Sequence, residues 1–233
     1  MNDNLNYETY LFISPKKLII SVNDDLTKKI HEETIVIEEN INKFIFEKLD
    51  YFLNQNIYKI EKKLNHFIKK ISLILDLDEF FSVEVSVKKK NYENVIDSKT
   101  LKYLLHEAKD CCKKTMYEKS IVHMTVTNYQ VDNKNYLFLP EGINHNNFSL
   151  DVKFLCISDN LIKNFEKILE KYQISLGEVV SANYVKKFLT KNENELFLMT
   201  GKIIKGHNPN EVILVKKTQK NQGFFEKFFN FFN

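Results

Sequence analysis

The residues whose types could carry chemistry are few and scattered: six histidines, the acidic run Asp76, Asp78 and Glu79, and the three cysteines Cys111, Cys112 and Cys156. His123 lies in a run that reads as a strand. It could act as a general base only with a partner such as Asp132 and a surrounding loop, and a paired or surface histidine is the plainer reading. The acidic run could ligate a cation, but no glycine follows to make the sharp turn of a calcium loop, so a solvated acidic loop is expected. Cys111 and Cys112 are adjacent, which suits neither a mutual bridge nor a spaced zinc knuckle, and in a helical segment they read as small buried or half-buried thiols. Direct reading finds no Walker loop, no dinucleotide fingerprint, no zinc spacing and no nucleophile elbow.

Composition narrows the classes further. The chain has 233 residues, 43% hydrophobic and 28% charged, enough for one sizeable core or two small lobes. Only 5 glycines and 3 prolines leave little freedom for a glycine-rich nucleotide cradle. The net charge is +3, from 34 basic and 31 acidic residues, and every basic residue is lysine. Without arginine forks, sequence-specific DNA binding and phosphoryl transfer are disfavoured, and the near-equal acidic content argues against a general RNA funnel. The odd cysteine count fits a reducing compartment. No signal-peptide pattern and no apolar run of about 20 residues is found, so a cytoplasmic protein is expected.

The elements follow from periodicity. Tyr10 to Ser14 and Leu18 to Val22 flank Pro15-Lys16-Lys17 and predict a hairpin, with Thr34 to Ile37 as a third strand. Leu53, Ile57, Ile60, Leu64, Phe67 and Ile71 step at helical spacing and predict an amphipathic helix. Ile41, Ile45, Leu49 and Phe52 predict a separate helix before it, broken at Asn54-Gln55-Asn56. Phe81, Val83, Val85 and Val87 alternate with polar residues as in a half-buried strand. A helix from Ser98 through Cys112, strands at Ile121 to Val131 and Phe148 to Ile157, a helix capped by Asp159 and a strand at Leu176 to Val180 complete an α+β module whose helices cover one sheet face. Ser181 to Leu189 reads as helical and Glu211 to Lys217 as a last strand.

The carboxy-terminal segment is unlike the rest. Wound as a helix, Phe224, Phe225, Phe228, Phe229 and Phe232 share one stripe, with Phe231 beside it. Lys216, Lys217, Lys220 and Lys227 stand against the single acid Glu226, which suits an anionic bilayer surface. Five half-buried phenyl rings offer roughly 4–7 kcal/mol before the cost of ordering a short helix, which makes a reversible foot that avidity would firm.

In its order of elements the chain resembles the FtsA family of bacterial actin-like cell-division proteins. That family carries an inserted strand-helix-strand-strand (SHS2) domain, and the resemblance runs from about Val83 to Tyr184. It rests on His123, Tyr129, Val131 and Asp132, on Pro140-Glu141-Gly142, and on Leu150-Asp151-Val152; Val126 stands where the family prefers proline. The Phe-rich tail is similar to the family's membrane-targeting helix. At the first hairpin, Phe12, Ile13 and Ser14 replace the family's phosphate-binding residues and Lys17 alone matches, so no nucleotide and no other cofactor is carried over.

The resemblance implies an α+β, SHS2-like fold beside a reduced actin-like first lobe. The expected units are 1–82 (first-lobe remnant), 83–184 (SHS2-like assembly domain), 185–217 (return segment), and 218–233 (linker and amphipathic helix). The expected function is a non-enzymatic adaptor, peripheral on the cytoplasmic face of the inner membrane at the division site. It would assemble with other copies of itself or with division-complex proteins, the tubulin-like division filament among them, and bind no nucleic acid. The competing expectation is a small cytoplasmic α+β enzyme using His123 and Asp132.

Overall fold

The computed structural model describes residues 7–24, 29–37, 45–90, 96, 98–140, 143, 146–189 and 195–213. Among the described residues it is a mixed α+β protein with two sheets and five helices. The first hairpin, β1 (Tyr7–Ile13) and β2 (Lys17–Asp24), is joined by β3 (Lys29–Val36), which begins earlier than the sequence predicts. Both pairings are antiparallel. At the tip the Ser14 hydroxyl donates to the Lys17 carbonyl at 3.0 Å and accepts from the Lys17 amide at 3.1 Å, so the turn is closed by its own side chain.

Helix α1 (Ile45–Leu64) runs unbroken through Asn54, Gln55 and Asn56, contrary to the expected break. Asn54 and Gln55 face solvent, and buried Asn56 turns its amide back onto the Phe52 carbonyl at 2.9 Å, which satisfies it within the helix. The predicted helical stripe is also too long. Asn65 adopts φ 50° and the His66 amide reaches the Glu61 carbonyl at 3.2 Å, a left-handed termination that ends the helix at Leu64. Phe67 is left exposed, and Ile71 belongs to β4 (Lys70–Leu75), a strand the sequence reading missed.

Strand β4 is central. It lies parallel to β1 on one side and to β9 (Ser175–Ser181) on the other, giving the order β3-β2-β1-β4-β9. Side chains alternate between two cores: Leu11, Ile13, Leu73 and Leu75 meet α1 and α3 (Asp159–Glu170), whereas Tyr10, Phe12 and Ile74 meet α4 (Ala182–Lys186) and α5 (Leu196–Ile204). Helices thus cover both faces, as parallel strands require.

Between β4 and α3 the chain makes a second sheet, ordered β5-β8-β6-β7, from β5 (Phe81–Lys90), β6 (Lys119–Val131), β7 (Lys134–Tyr136) and β8 (Asn147–Ser158). Helix α2 (Ser98–Thr115) buries Leu104, Ala108 and Cys112 against Phe148, Leu150, Val152, Phe154 and Cys156 on one face of it. The expected module ran on through α3 and β9. Instead β9 pairs with β4, and α3 packs on α1 through Phe165 and Phe46, so both belong to the first sheet. The expected last strand is reduced to one bridge, Glu211 opposite Thr125; its residues beyond 213 lie outside the described residues.

Asp50 on α1 fastens α3. It accepts from the Lys171 ammonium at 2.6 Å and from the Tyr172 hydroxyl at 2.9 Å. The hydrogen bond from Lys171 holds its carboxyl below the usual carboxylate range, burial pushing the other way, while burial and the Asp50 contact push Tyr172 up to about 12. A depressed folded value gives stability that is complete above the ordinary carboxylate range and fades as pH falls through the depressed one. Asp50→Asn should therefore lower the urea midpoint at neutral pH and flatten its decline through the acid range. A variant whose acid limb matched the unaltered chain's would show that Asp50 is uncoupled from folding.

Candidate functional site

His123 sits where the two sheets meet, and its surroundings decide what it can do. It projects from β6, buried to 4% exposure, between the end of β9, helix α4 and the segment after α5. Its Nε2 accepts from the Ser181 backbone amide at 3.1 Å, and its Nδ1 lies 2.7 Å from Glu211 Oε1. An acceptor at Nε2 places the single ring proton on Nδ1, which donates to the carboxylate. Tyr184 stacks on the imidazole at 3.9 Å and donates its hydroxyl to Glu211 Oε2 at 2.8 Å, while the Asn208 amide donates to that hydroxyl at 2.8 Å. Burial pushes the Tyr184 phenol up to about 12, which keeps it a donor.

This network is built from four segments. The chain reaches it from α5 through Gly206, whose φ of +89° lets the helix end and turn back. The Asn208 side-chain oxygen then accepts from the Asn210 amide at 3.1 Å and the Asn208 backbone carbonyl from the Glu211 amide at 3.0 Å, and the Asn210 side-chain amide donates to the Leu137 carbonyl at 2.9 Å. Both imidazole nitrogens are committed, so His123 clasps two sheets and does not offer a lone pair to a substrate.

Asp132 is not brought to it. It occupies the β6–β7 turn at φ 44°, and its carboxylate accepts from the Asn146 and Asn147 amides at 3.0 and 2.8 Å. Of the other residues that carry the resemblance, Tyr129, Leu150 and Val152 are buried against α2. Asp151 faces outward and accepts from Ser86 at 2.6 Å and Asn128 at 2.9 Å. Cys112 and Cys156 are buried with their sulfurs 3.8 Å apart, and burial raises both thiols, Cys156 to about 12; Cys111 is exposed. Asp76 pairs with Lys186 at 2.9 Å. Among the described residues no group of three or more His, Cys, Asp or Glu could hold a metal ion. The tail residues singled out as a membrane foot, from Lys216 to Phe232, lie outside the described residues, as do Glu141 and Gly142.

Beside the clasp opens a groove of about 860 Å³. One wall is the stretch of β6 from Lys119 to Met124 with the residues after α5. The opposite wall is the edge of β9, flanked by Ile162 and Glu166 of α3 and by Ile203 and Ile204 of α5. β9 ends its sheet, and below the clasp no described strand pairs with the outer edge of β6, which bulges at Val122. Gly177 on β9 is required by crowding: a Cβ there would lie 2.5 Å from Ser72 Oγ and 3.1 Å from the Ile71 carbonyl. Open strand edges, apolar walls and a charged rim of Lys109, Lys113, Glu166 and Glu178 suit an extended polypeptide.

The sequence reading singled out His123 but missed Glu211, Tyr184, Asn208 and Ser181 as its partners. A run such as Asn208-Pro209-Asn210 signals a turn, yet nothing local ties it to a strand 88 positions away.

No protein-family model and no curated protein matches the chain. Among solved structures it is similar to the cytoplasmic domain of EpsL, an inner-membrane component of the type II secretion system of Vibrio cholerae, at 9% identity over 81% of this chain and 61% of that one, TM-score 0.37. It is similar to the PilM-PilN type IV pilus biogenesis complex at 9% identity over 85% of this chain and 51% of that one, TM-score 0.49. A Bacteroides thetaiotaomicron protein with an actin-like ATPase fold and unknown function aligns at 10% identity over 81% of this chain and 58% of that one, TM-score 0.35. The chain thus spans between half and two thirds of the length of these structures.

The clasp makes a measurable prediction. His123→Phe keeps a ring on Tyr184 but removes both hydrogen bonds, and should cost about 1.5–3 kcal/mol of unfolding free energy. Adding Glu211→Leu should recover part of that loss, whereas adding the distant Lys171→Ala should simply sum. Strict additivity of His123→Phe and Glu211→Leu in urea titrations would contradict the clasp.

Proposed function

We propose that this chain is a non-enzymatic adaptor whose groove between the two sheets accepts an extended protein segment, and whose Phe224, Phe225, Phe228, Phe229, Phe231 and Phe232, with Lys216, Lys217, Lys220 and Lys227, hold it to an anionic membrane surface. The observation that carries the reading is the groove itself: strand edges and apolar walls beside a histidine whose two nitrogens are already committed. The hairpin tip supports it, because the Ser14 hydroxyl takes up the Lys17 amide and Phe12 and Ile13 are buried. Topology supports the FtsA-like part of the reading, since a unit of one strand, a helix and three further strands (β5, α2, β6, β7, β8) interrupts the first sheet between β4 and α3. In that setting the adaptor works in cell division, on the cytoplasmic face of the inner membrane, assembling with copies of itself or with division proteins.

Among the described residues no helix is long and apolar enough to cross a membrane. Attachment by the tail accordingly predicts that the full chain sediments with phosphatidylglycerol vesicles, less so as salt rises, and that removing residues 223–233 abolishes sedimentation while leaving the melting temperature of the body unchanged. Unchanged sedimentation after truncation would defeat the foot. For the groove, a photo-reactive p-benzoylphenylalanine at Glu178 should give a polypeptide adduct, in cis or in trans, that the same group at Tyr58 on the outer face of α1 does not give. Equal capture at both positions would defeat the groove.

A further inference from the structure

Strand β5 is an outer strand of the second sheet, ten residues long, and no described strand pairs with its far edge. Its two faces differ. Val83, Val85 and Val87 turn to the α2 core, whereas Ser82, Glu84, Ser86 and Lys88 lie exposed on the open face. On that face Glu84 takes Lys153 of β8 at 3.4 Å, and Ser86 donates to Asp151 at 2.6 Å. An uncovered edge of this length is a template for one more strand.

We infer that this edge takes β5 of a second copy, antiparallel about a two-fold axis at Ser86, so that the two second sheets become one. It deepens the self-assembly of the adaptor reading and rests on that reading for its use in the cell. Charge complementarity carries it. A symmetric antiparallel pair that keeps its faces aligned must centre on a residue, and the registers of fullest overlap centre on Val85 or Ser86. Centring on Ser86 sets Glu84 opposite Lys88 of the second copy, once on each side of the axis, so each Glu84 lies between Lys153 of its own chain and that lysine. The remaining cations meet no like charge: Lys89 stands opposite Val83 and position 90 opposite Ser82, while Val85 meets Val87. The other outer strands are built against such pairing. The fullest registers of β3 set Glu32 or Glu33 against its own copy, that of β9 sets Glu178 against itself, and β7 has three residues.

Helix α2 is placed to join the contact. It packs on β5 and β8, so with strands about 4.8 Å apart the two copies of α2 stand about 10 Å from one another, the spacing of packed helices. Lys109 and Lys113 lie on its groove flank. Tyr103, whose ring takes Lys89 Nζ at 5.6 Å, marks the flank over β5, and helical spacing puts Glu107 and Lys114 on that same flank. Two such flanks meeting in opposite directions bring Glu107 toward Lys114 of the second copy.

Sedimentation velocity of the full chain without vesicles tests this. A dimer should build up across about 1–100 μM. Glu84→Lys and Lys88→Glu each set like charges opposite one another on both sides of the axis and should weaken self-association at least about tenfold. An equimolar mixture of the two variants should recover it as a heterodimer, because every such pair is then of opposite sign. In a Cys111→Ser background, Ser86→Cys should cross-link to its own copy under mild oxidation and Ser82→Cys should not. A chain that stays monomeric to about 100 μM overturns the inference. So does a dimer indifferent to these substitutions, or a pair of variants that fails to complement. The adaptor reading is judged apart: a β5 dimer that does not sediment with vesicles keeps this pairing and discards the foot, whereas a monomer that does sediment keeps the foot and discards the pairing.

Discussion

The relation between the two sheets depends on one buried polar contact, the imidazole of His123 held between the Ser181 amide and the Glu211 carboxylate. A histidine at 4% exposure has no water to turn to, so each nitrogen must find a protein partner or leave an uncompensated polar atom behind. The two partners come from different parts of the chain, the last residue of β9 and the segment after α5. Satisfying one histidine therefore ties the second sheet to the end of β9 and to the segment after α5, beside the strand edges that bound the groove. Tyr184 completes the arrangement by occupying the second carboxylate oxygen and covering the ring.

The same constraint removes the residue from catalysis. A general base needs a lone pair facing a substrate, whereas this tautomer spends its lone pair on a backbone amide. The thiols have been treated alike: Cys112 and Cys156 face one another inside the α2 core, where the thiolate form is disfavoured by burial. Among the described residues, the edge of β9 and the edge of β6 below the clasp have no strand partner, which is chemistry for recognition.

Much of this was legible in the sequence, and the failures have a common cause. Period-two alternation located β5, β6 and β8, and helical spacing located α2 and α3, because each has one buried face. Strand β4 was missed because it is buried on both faces. Ile-Ser-Leu-Ile-Leu has no clean alternation, and Ile71 happens to fall in step with the stripe of α1. The apparent break at Asn54-Gln55-Asn56 misled because helix propensity is a weak prior once a side chain such as Asn56 can bond its own helix. His123 was visible as a residue of interest, but its partners are defined by tertiary contact alone. The assignment of β9 to the first sheet likewise depends on a parallel pairing with a strand about a hundred positions earlier, for which local pattern holds no signal.

The way the second sheet is spliced into the first has a further consequence. β5 starts at Phe81 opposite Cys156, and β8 ends at Ser158 just before α3. The entry and exit of residues 76–158 thus travel on neighbouring strands, about 5 Å apart. Such a piece is a cassette: its length can change without stretching its host, because its two chain ends leave side by side, and the His123 clasp is what ties its body back to the host. A lineage carrying this architecture is free to vary the cassette's outer surface while the parent sheet stays as it is, provided that the imidazole and its two acceptor and donor partners are inherited together.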